Sequence, residues 1–155
     1  MTMVMLATLI LAQAPGPVTV DLLPFDRAAL KGMDQAEVRV PEEGKPVVYA
    51  GVPLASILAK KEKDSGAMPG LRSLSDAVIL VRGTDGYQAA VSAAAVAMDT
   101  KGEHFLLAIS RDGKPLGEPQ GPVRLIVPGD PRHVRWVRDV ATIRLIRLDK
   151  VVGGS

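Results

Sequence analysis

Gly121-Pro122-Val123-Arg124-Leu125-Ile126-Val127-Pro128-Gly129, followed by Asp130-Pro131-Arg132-His133-Val134-Arg135-Trp136, is the stretch on which the reading of this chain turns. Val123 to Val127 is predicted as a strand, and Pro128 and Gly129 end it. From Gly121 to Arg147 the arginines Arg124, Arg132, Arg135, Arg138, Arg144 and Arg147 face only Asp130 and Asp139. Guanidinium forks suit phosphate and carboxylate because they donate two parallel hydrogen bonds. Gly129 is expected to let the backbone turn tightly, so that the amides after it point at an anion. The basic loop 129–138, between two strands, is thus a candidate anion pocket. It also reads as a solvated strand face that protects an edge, with Trp136 as a core plug and His133 exposed. Composition alone does not separate the two.

Around this stretch lie 155 residues, enough for one compact domain. With 47% hydrophobic and 23% charged residues the balance is globular, which excludes wholesale disorder. Fifteen Gly and 12 Pro argue for short elements and tight turns rather than a helical bundle. Aromatics make up only 3%, so the core falls to Val, Leu, Ile and Ala. No cysteine is present, which excludes disulfides, thiolate-ligated metals, iron–sulfur clusters and a cysteine nucleophile. His104 and His133 are too few for a multi-histidine metal site. A net charge of +2 and scattered aromatics do not point to nucleic acid.

Alternation and turn signals give the remaining elements. Strands are predicted over 18–22, 36–40, 47–49, 77–81, 87–91, 105–109, 123–127 and 140–148. The continuous apolar run Ala77-Val78-Ile79-Leu80-Val81 predicts burial on both faces, as does Phe105 to Ile109. Helical segments are expected over 25–30, from Pro53 to about Lys63, and from a Ser92 cap to Met98. Glu42 to Lys45, Gly83 to Gly86 and Asp112-Gly113 read as turns. Helices do not alternate regularly with strands, so the fold class is a single β-rich α+β domain.

The N-terminus has its own signature. Met3 to Leu11 is apolar and runs into Ala12-Gln13-Ala14 before Pro15, the pattern of a signal peptide over residues 1–14. The run is far short of the roughly 20 residues that span a bilayer, so no transmembrane span is expected and the location is periplasmic or secreted. The domain is then 15–150, with 151–155 a tail.

No Gly-x-x-x-x-Gly-Lys-Ser/Thr, Gly-x-Gly-x-x-Gly or Gly-x-Ser-x-Gly motif occurs. Nothing in the pattern favours a Ser-His-Asp triad.

The order of the segments is more telling than any one of them. Tyr49-Ala50-Gly51-Val52-Pro53-Leu54 with Ile57-Leu58 comes first, then Asp85-Gly86-Tyr87. Leu106-Leu107-Ala108-Ile109 leading into Asp112-Gly113-Lys114-Pro115-Leu116 follows, then Gly121 to Gly129 with Arg132 to Trp136. In this order the chain resembles the molybdopterin-binding domain of the sulfite oxidase superfamily, in a small stand-alone exported form, over roughly residues 45–148. The resemblance implies an α+β fold with mixed sheets. It also implies a molybdenum–pterin cofactor for two-electron oxygen-atom transfer. By position it points to Gly129, Arg132, His133 and Arg135 as cofactor-binding residues for the pterin and its phosphate.

The family's oxygen-transfer enzymes ligate molybdenum with a cysteine upstream of the Gly-x-Pro-Leu segment. Here that region is Gln35 to Glu42, with no Cys, Ser or His. A pterin dithiolene can hold the metal without a protein sulfur, but the usual ligand is not encoded. Two readings follow: a cofactor-linked oxidoreductase domain, and a non-catalytic binding or assembly module of the cell envelope. No catalytic residue is assigned and whether the chain is an enzyme stays open. Its expected partners are an anionic small-molecule cofactor and a redox or scaffold protein of the envelope.

Overall fold

The protein is described here from a computed structural model, which defines residues 19–22, 27–65 and 74–148. The expected signal peptide over 1–14 and the tail over 151–155 lie outside the described residues.

Apolar alternation and tight turns produce two sheets. The first has the order β1 (Thr19–Asp21), β9 (Val140–Arg147), β4 (Ala77–Gly83) and β5 (Gln88–Ser92). The second runs β2 (Ala36–Glu42), β3 (Lys45–Pro53), β6 (Leu106–Arg111) and β7 (Lys114–Pro115), with β8 (Arg124–Ile126) also paired to β6. The helices are α1 (Arg27–Lys31), α2 (Leu54–Ser65) and α3 (Ala93–Met98). The β-rich α+β class is as the sequence predicts.

Mixed sheets are not. Every pairing among the described strands is antiparallel. Tight hairpins account for three of the pairs, and a parallel neighbour would need a long crossover in their place. Glu43 and Gly44 (φ 50° and 78°) close β2 onto β3, and Asp112 and Gly113 (φ 48° and 78°) close β6 onto β7. Both are two-residue turns with two left-handed residues, whose twist matches the strands they join.

The two apolar runs also part company. Leu106, Leu107, Ala108 and Ile109 of β6 are all buried, so that strand is covered on both faces. Within the 77–81 run of β4 only Ala77, Ile79 and Val81 are buried, while Val78 and Leu80 are half-buried. A continuous apolar run fixes which residues can be buried, and the layers around the strand decide which are.

The core joins both sheets to the helices. Leu54, Ala55, Ile57 and Leu58 of α2 and Ala93 and Val96 of α3 are buried in it, and the two helices pack together. The N–H of Leu54 donates to the carbonyl of Phe105 at 3.0 Å, which ties the start of α2 to the start of β6. Gly51 makes the sheet geometry possible: a Cβ there would stand 1.9 Å from the carbonyl oxygen of Leu107, and the β3–β6 register shifts at this point. The sheets meet where Leu125 and Val137 exchange backbone hydrogen bonds and Val140 donates to Val123 at 2.8 Å. That junction places the 127–135 loop beside the segment that enters β6.

Candidate functional site

One wall of the site is the connection from α3 to β6. Ser92 caps α3, its hydroxyl accepting from the N–H of Ala95 at 3.3 Å, and the helix ends at Asp99. The Asp99 side chain is buried and turns back onto the following loop. Its carboxylate accepts the backbone N–H groups of Glu103 (3.0 Å), His104 (3.0 Å) and Phe105 (2.8 Å). Nδ1 of His104 lies 3.3 Å from the same carboxylate. Gly102, at φ +71°, supplies the left-handed residue that the bend requires.

The other wall is the segment after β8. The carbonyl of Val127 accepts from the N–H of Asp130 at 3.0 Å and from Nε1 of the Trp136 indole at 2.7 Å. Gly129 does not have a positive φ. The left-handed residues are Arg132 and His133, at φ 56° and 55°. Non-glycine residues in that region cost about 1–2 kcal/mol each. Here they are held by Trp136, whose N–H donates to the His133 carbonyl at 3.0 Å, and by the Asp130 carboxylate. That carboxylate accepts the backbone N–H of Arg135 (3.0 Å) and its Nε (2.8 Å), and pairs with Nη2 as well. Hydrogen bonding from Arg135 holds Asp130 below the usual carboxylate range.

Between the walls lies a cavity of about 650 Å³. It is lined by residues of the 95–105 segment on one side, among them Asp99, Lys101, Glu103 and His104, and by Val127, Gly129 and Arg135 on the other. Nothing stands within 4 Å of where a Cβ on Gly129 would be, so a ligand can approach the backbone there. Of the four predicted site residues, Gly129 and Arg135 line the cavity. Arg135 does so with Nε and Nη2 already engaged by Asp130. Arg132 is exposed and does not line it.

His133 does not line the cavity either and is not simply exposed. Its ring stacks on Trp136, with centroids 3.6 Å apart and planes 10° off parallel. Trp136 itself is buried, so it is both the core plug and the platform. Its indole meets Tyr49 edge-on at 5.7 Å, and the Arg124 guanidinium carbon lies 4.9 Å from its ring centroid. Tyr49 donates its hydroxyl to Glu42 at 2.5 Å, and Glu42 in turn accepts from Arg111 at 2.9 Å. Burial and then the Glu42 bond push the Tyr49 hydroxyl pKa up. Burial pulls Arg124 down, and its Nε is buried without a hydrogen-bond partner among the described residues.

Sequence reading missed Asp99, Lys101 and His104. The signal was local and faint: an Asp at a helix end, a Gly three residues on, and a His two further. Among the described residues no group of three or more His, Asp or Glu side chains could hold a metal ion.

The model of the oxidoreductase molybdopterin binding domain matches residues 29–149. The chain belongs to this family. Among curated proteins, none matches the chain. The match takes in every strand but β1 and both walls of the cavity, so the molybdopterin-binding domain includes the site built above. Its lining sets Lys101 against the carboxylates of Asp99 and Glu103, with Arg135 already paired to Asp130, so only part of it suits the anionic portion of a molybdenum–pterin group. Lys101 and the open backbone at Gly129 suit a phosphate and a planar ring, and the volume admits them. No residue supplies a thiolate. His104 is the only imidazole among the cavity-lining residues.

Proposed function

We propose that this molybdopterin-binding domain is exported and holds molybdopterin, or a similar anionic ligand, in the cavity between the 99–105 and 127–135 segments. The observation that carries the reading is the cavity itself, bounded by the basic loop and open at Gly129. When bound, the group supplies two-electron oxygen-atom transfer. The chain contributes Lys101 as a point charge for phosphate, backbone at Gly129 for close approach, and walls fixed by Asp99 and Asp130. Arg132, exposed at the loop, adds positive charge outside the cavity. The apolar run at residues 3–11 supports export to the periplasm or beyond.

The absence of cysteine favours a second reading, a non-catalytic binding or assembly module of the cell envelope on the same fold. The two separate on one measurement: molybdenum by elemental analysis and pterin by fluorescence after oxidative release, per mole of purified chain. Near-stoichiometric values support the first reading, and neither group supports the second. Gly129→Leu sharpens the test. Its side chain enters open space at a residue without positive φ, so the fold is expected to persist while pterin per chain falls on the order of tenfold. Unchanged pterin in a folded Gly129→Leu protein means the ligand sits elsewhere.

A further inference from the structure

We propose that Trp136 and Tyr49 form a one-electron relay, in which an oxidising equivalent that enters at the indole comes to rest on Tyr49 while the phenol proton passes to Glu42. The relay does not depend on which ligand fills the cavity. The chain has one Trp and two Tyr, and Trp136 and Tyr49 meet inside the core. Trp136 is 4% exposed and Tyr49 fully buried, with ring centroids 5.7 Å apart and the planes at right angles. An electron crosses between rings in contact without an intervening group.

The surroundings decide where the oxidising equivalent settles. The Arg124 guanidinium carbon lies 4.9 Å from the indole centroid, and a positive charge there disfavours an indole radical cation. Tyr49 escapes that penalty because its proton has a place to go. Its hydroxyl donates to Oε1 of Glu42 at 2.5 Å, the short bond of a phenol on a carboxylate. Nη2 of Arg111 donates to the other oxygen, Oε2, at 2.9 Å and so fixes the carboxylate with Oε1 toward the phenol. Nη1 of Arg124 stands 3.4 Å from the same hydroxyl and remains as a donor to the phenoxyl oxygen. The His133 ring, stacked at 3.6 Å, covers the indole. Tyr87 has none of this: it is exposed, and its hydroxyl donates to the Val134 carbonyl, a far weaker proton acceptor than a carboxylate.

The step balances within these groups. An outer-sphere one-electron oxidant takes an electron from Trp136 and leaves the indole radical cation. Tyr49 then gives an electron to Trp136 as its O–H bond breaks, and the proton bonds to Oε1 of Glu42. Neutral Trp136, a neutral Tyr49 phenoxyl radical and protonated Glu42 result, with one electron gone and no proton lost.

The test is flash oxidation of the full chain by photogenerated ruthenium(III) tris-bipyridine, followed by transient absorption and by electron paramagnetic resonance of frozen samples. The expected result in the native protein is an indole radical that decays as a tyrosyl radical appears, more slowly in D2O than in H2O. In Tyr49→Phe the tyrosyl signal is lost and the indole radical lives longer, whereas Tyr87→Phe keeps the signal. Glu42→Gln still accepts the phenol hydrogen bond but takes no proton, and should slow the transfer on the order of 100-fold, the contribution of a positioned proton acceptor. Circular dichroism checks that each variant folds, and the D2O comparison needs no variant. A tyrosyl signal that survives Tyr49→Phe and vanishes in Tyr87→Phe overturns the proposal. So do equal native rates in H2O and D2O, or a folded Glu42→Gln protein with native kinetics.

Discussion

The two walls of the cavity solve one problem in two ways. Each is a loop organised by a buried carboxylate that accepts hydrogen bonds from the backbone a few residues later. Asp99 collects three amides and a histidine, and the loop it closes bends at a glycine, Gly102. Asp130 collects one amide and a guanidinium, and its loop bends at two non-glycine residues, Arg132 and His133. The Asp99 wall therefore leaves the His104 side chain exposed. The Asp130 wall uses its own cation, Arg135, to satisfy itself. A basic loop is thus a poor guide to where free cations lie, because the buried acid within it claims the nearest one.

Asp99→Ala has the largest expected effect on this contrast. It strands the N–H groups of Glu103, His104 and Phe105, the last of them buried, at about 1–3 kcal/mol for each unsatisfied group. Urea denaturation should show a loss of about 3 kcal/mol or more. Asp130→Ala is expected to lose about 2 kcal/mol, since it frees one amide and a guanidinium that is 43% exposed and can take water instead. An equal or larger loss in Asp130→Ala would mean that the two carboxylates do the same structural work, and the contrast fails.

pH separates the walls further. Asp130 is depressed by Arg135, so its contribution is present above the ordinary carboxylate pKa of about 4. It is lost as pH falls through the lower value in the folded protein. Between the two values, urea midpoints of the native protein should fall with acid, and those of Asp130→Asn should fall less steeply. Parallel acid profiles would show that the pair contributes nothing.

Much of the fold was legible because the signals were local. Glu43-Gly44 and Asp112-Gly113 marked two-residue hairpins, and Ser92 marked the start of α3. The strand β6 read correctly as doubly buried. Its look-alike β4 did not, because coverage of the second face depends on distant layers. The candidate site was half legible. Gly129 and Arg135 stood out by type, but the capture of Arg135 needs the loop to fold back on Asp130. His133 looked like an exposed loop residue; only the left-handed backbone brings its ring over Trp136. The place of His104 in the cavity was hidden because it depends on Asp99, five residues away, and on a wall formed by another part of the chain.

The smallest expected effect compares the two bends directly. Gly102→Ala places a side chain at φ +71° with its Cβ 3.0 Å from Pro53, and should cost about 1–2 kcal/mol. Arg132→Gly does the reverse at φ 56°. It relieves a left-handed penalty of about 1–2 kcal/mol but adds about 0.4–1 kcal/mol of unfolded-chain entropy. The net is a gain of about 0.5 kcal/mol, read as a small rise in urea midpoint with unchanged slope. A gain well above that would show that the 131–133 bend stores strain, as backbone at ligand-binding sites often does. A loss would show that the Arg132 side chain supports the loop after all, and that the second wall is less self-sufficient than its Asp130–Arg135 pair suggests.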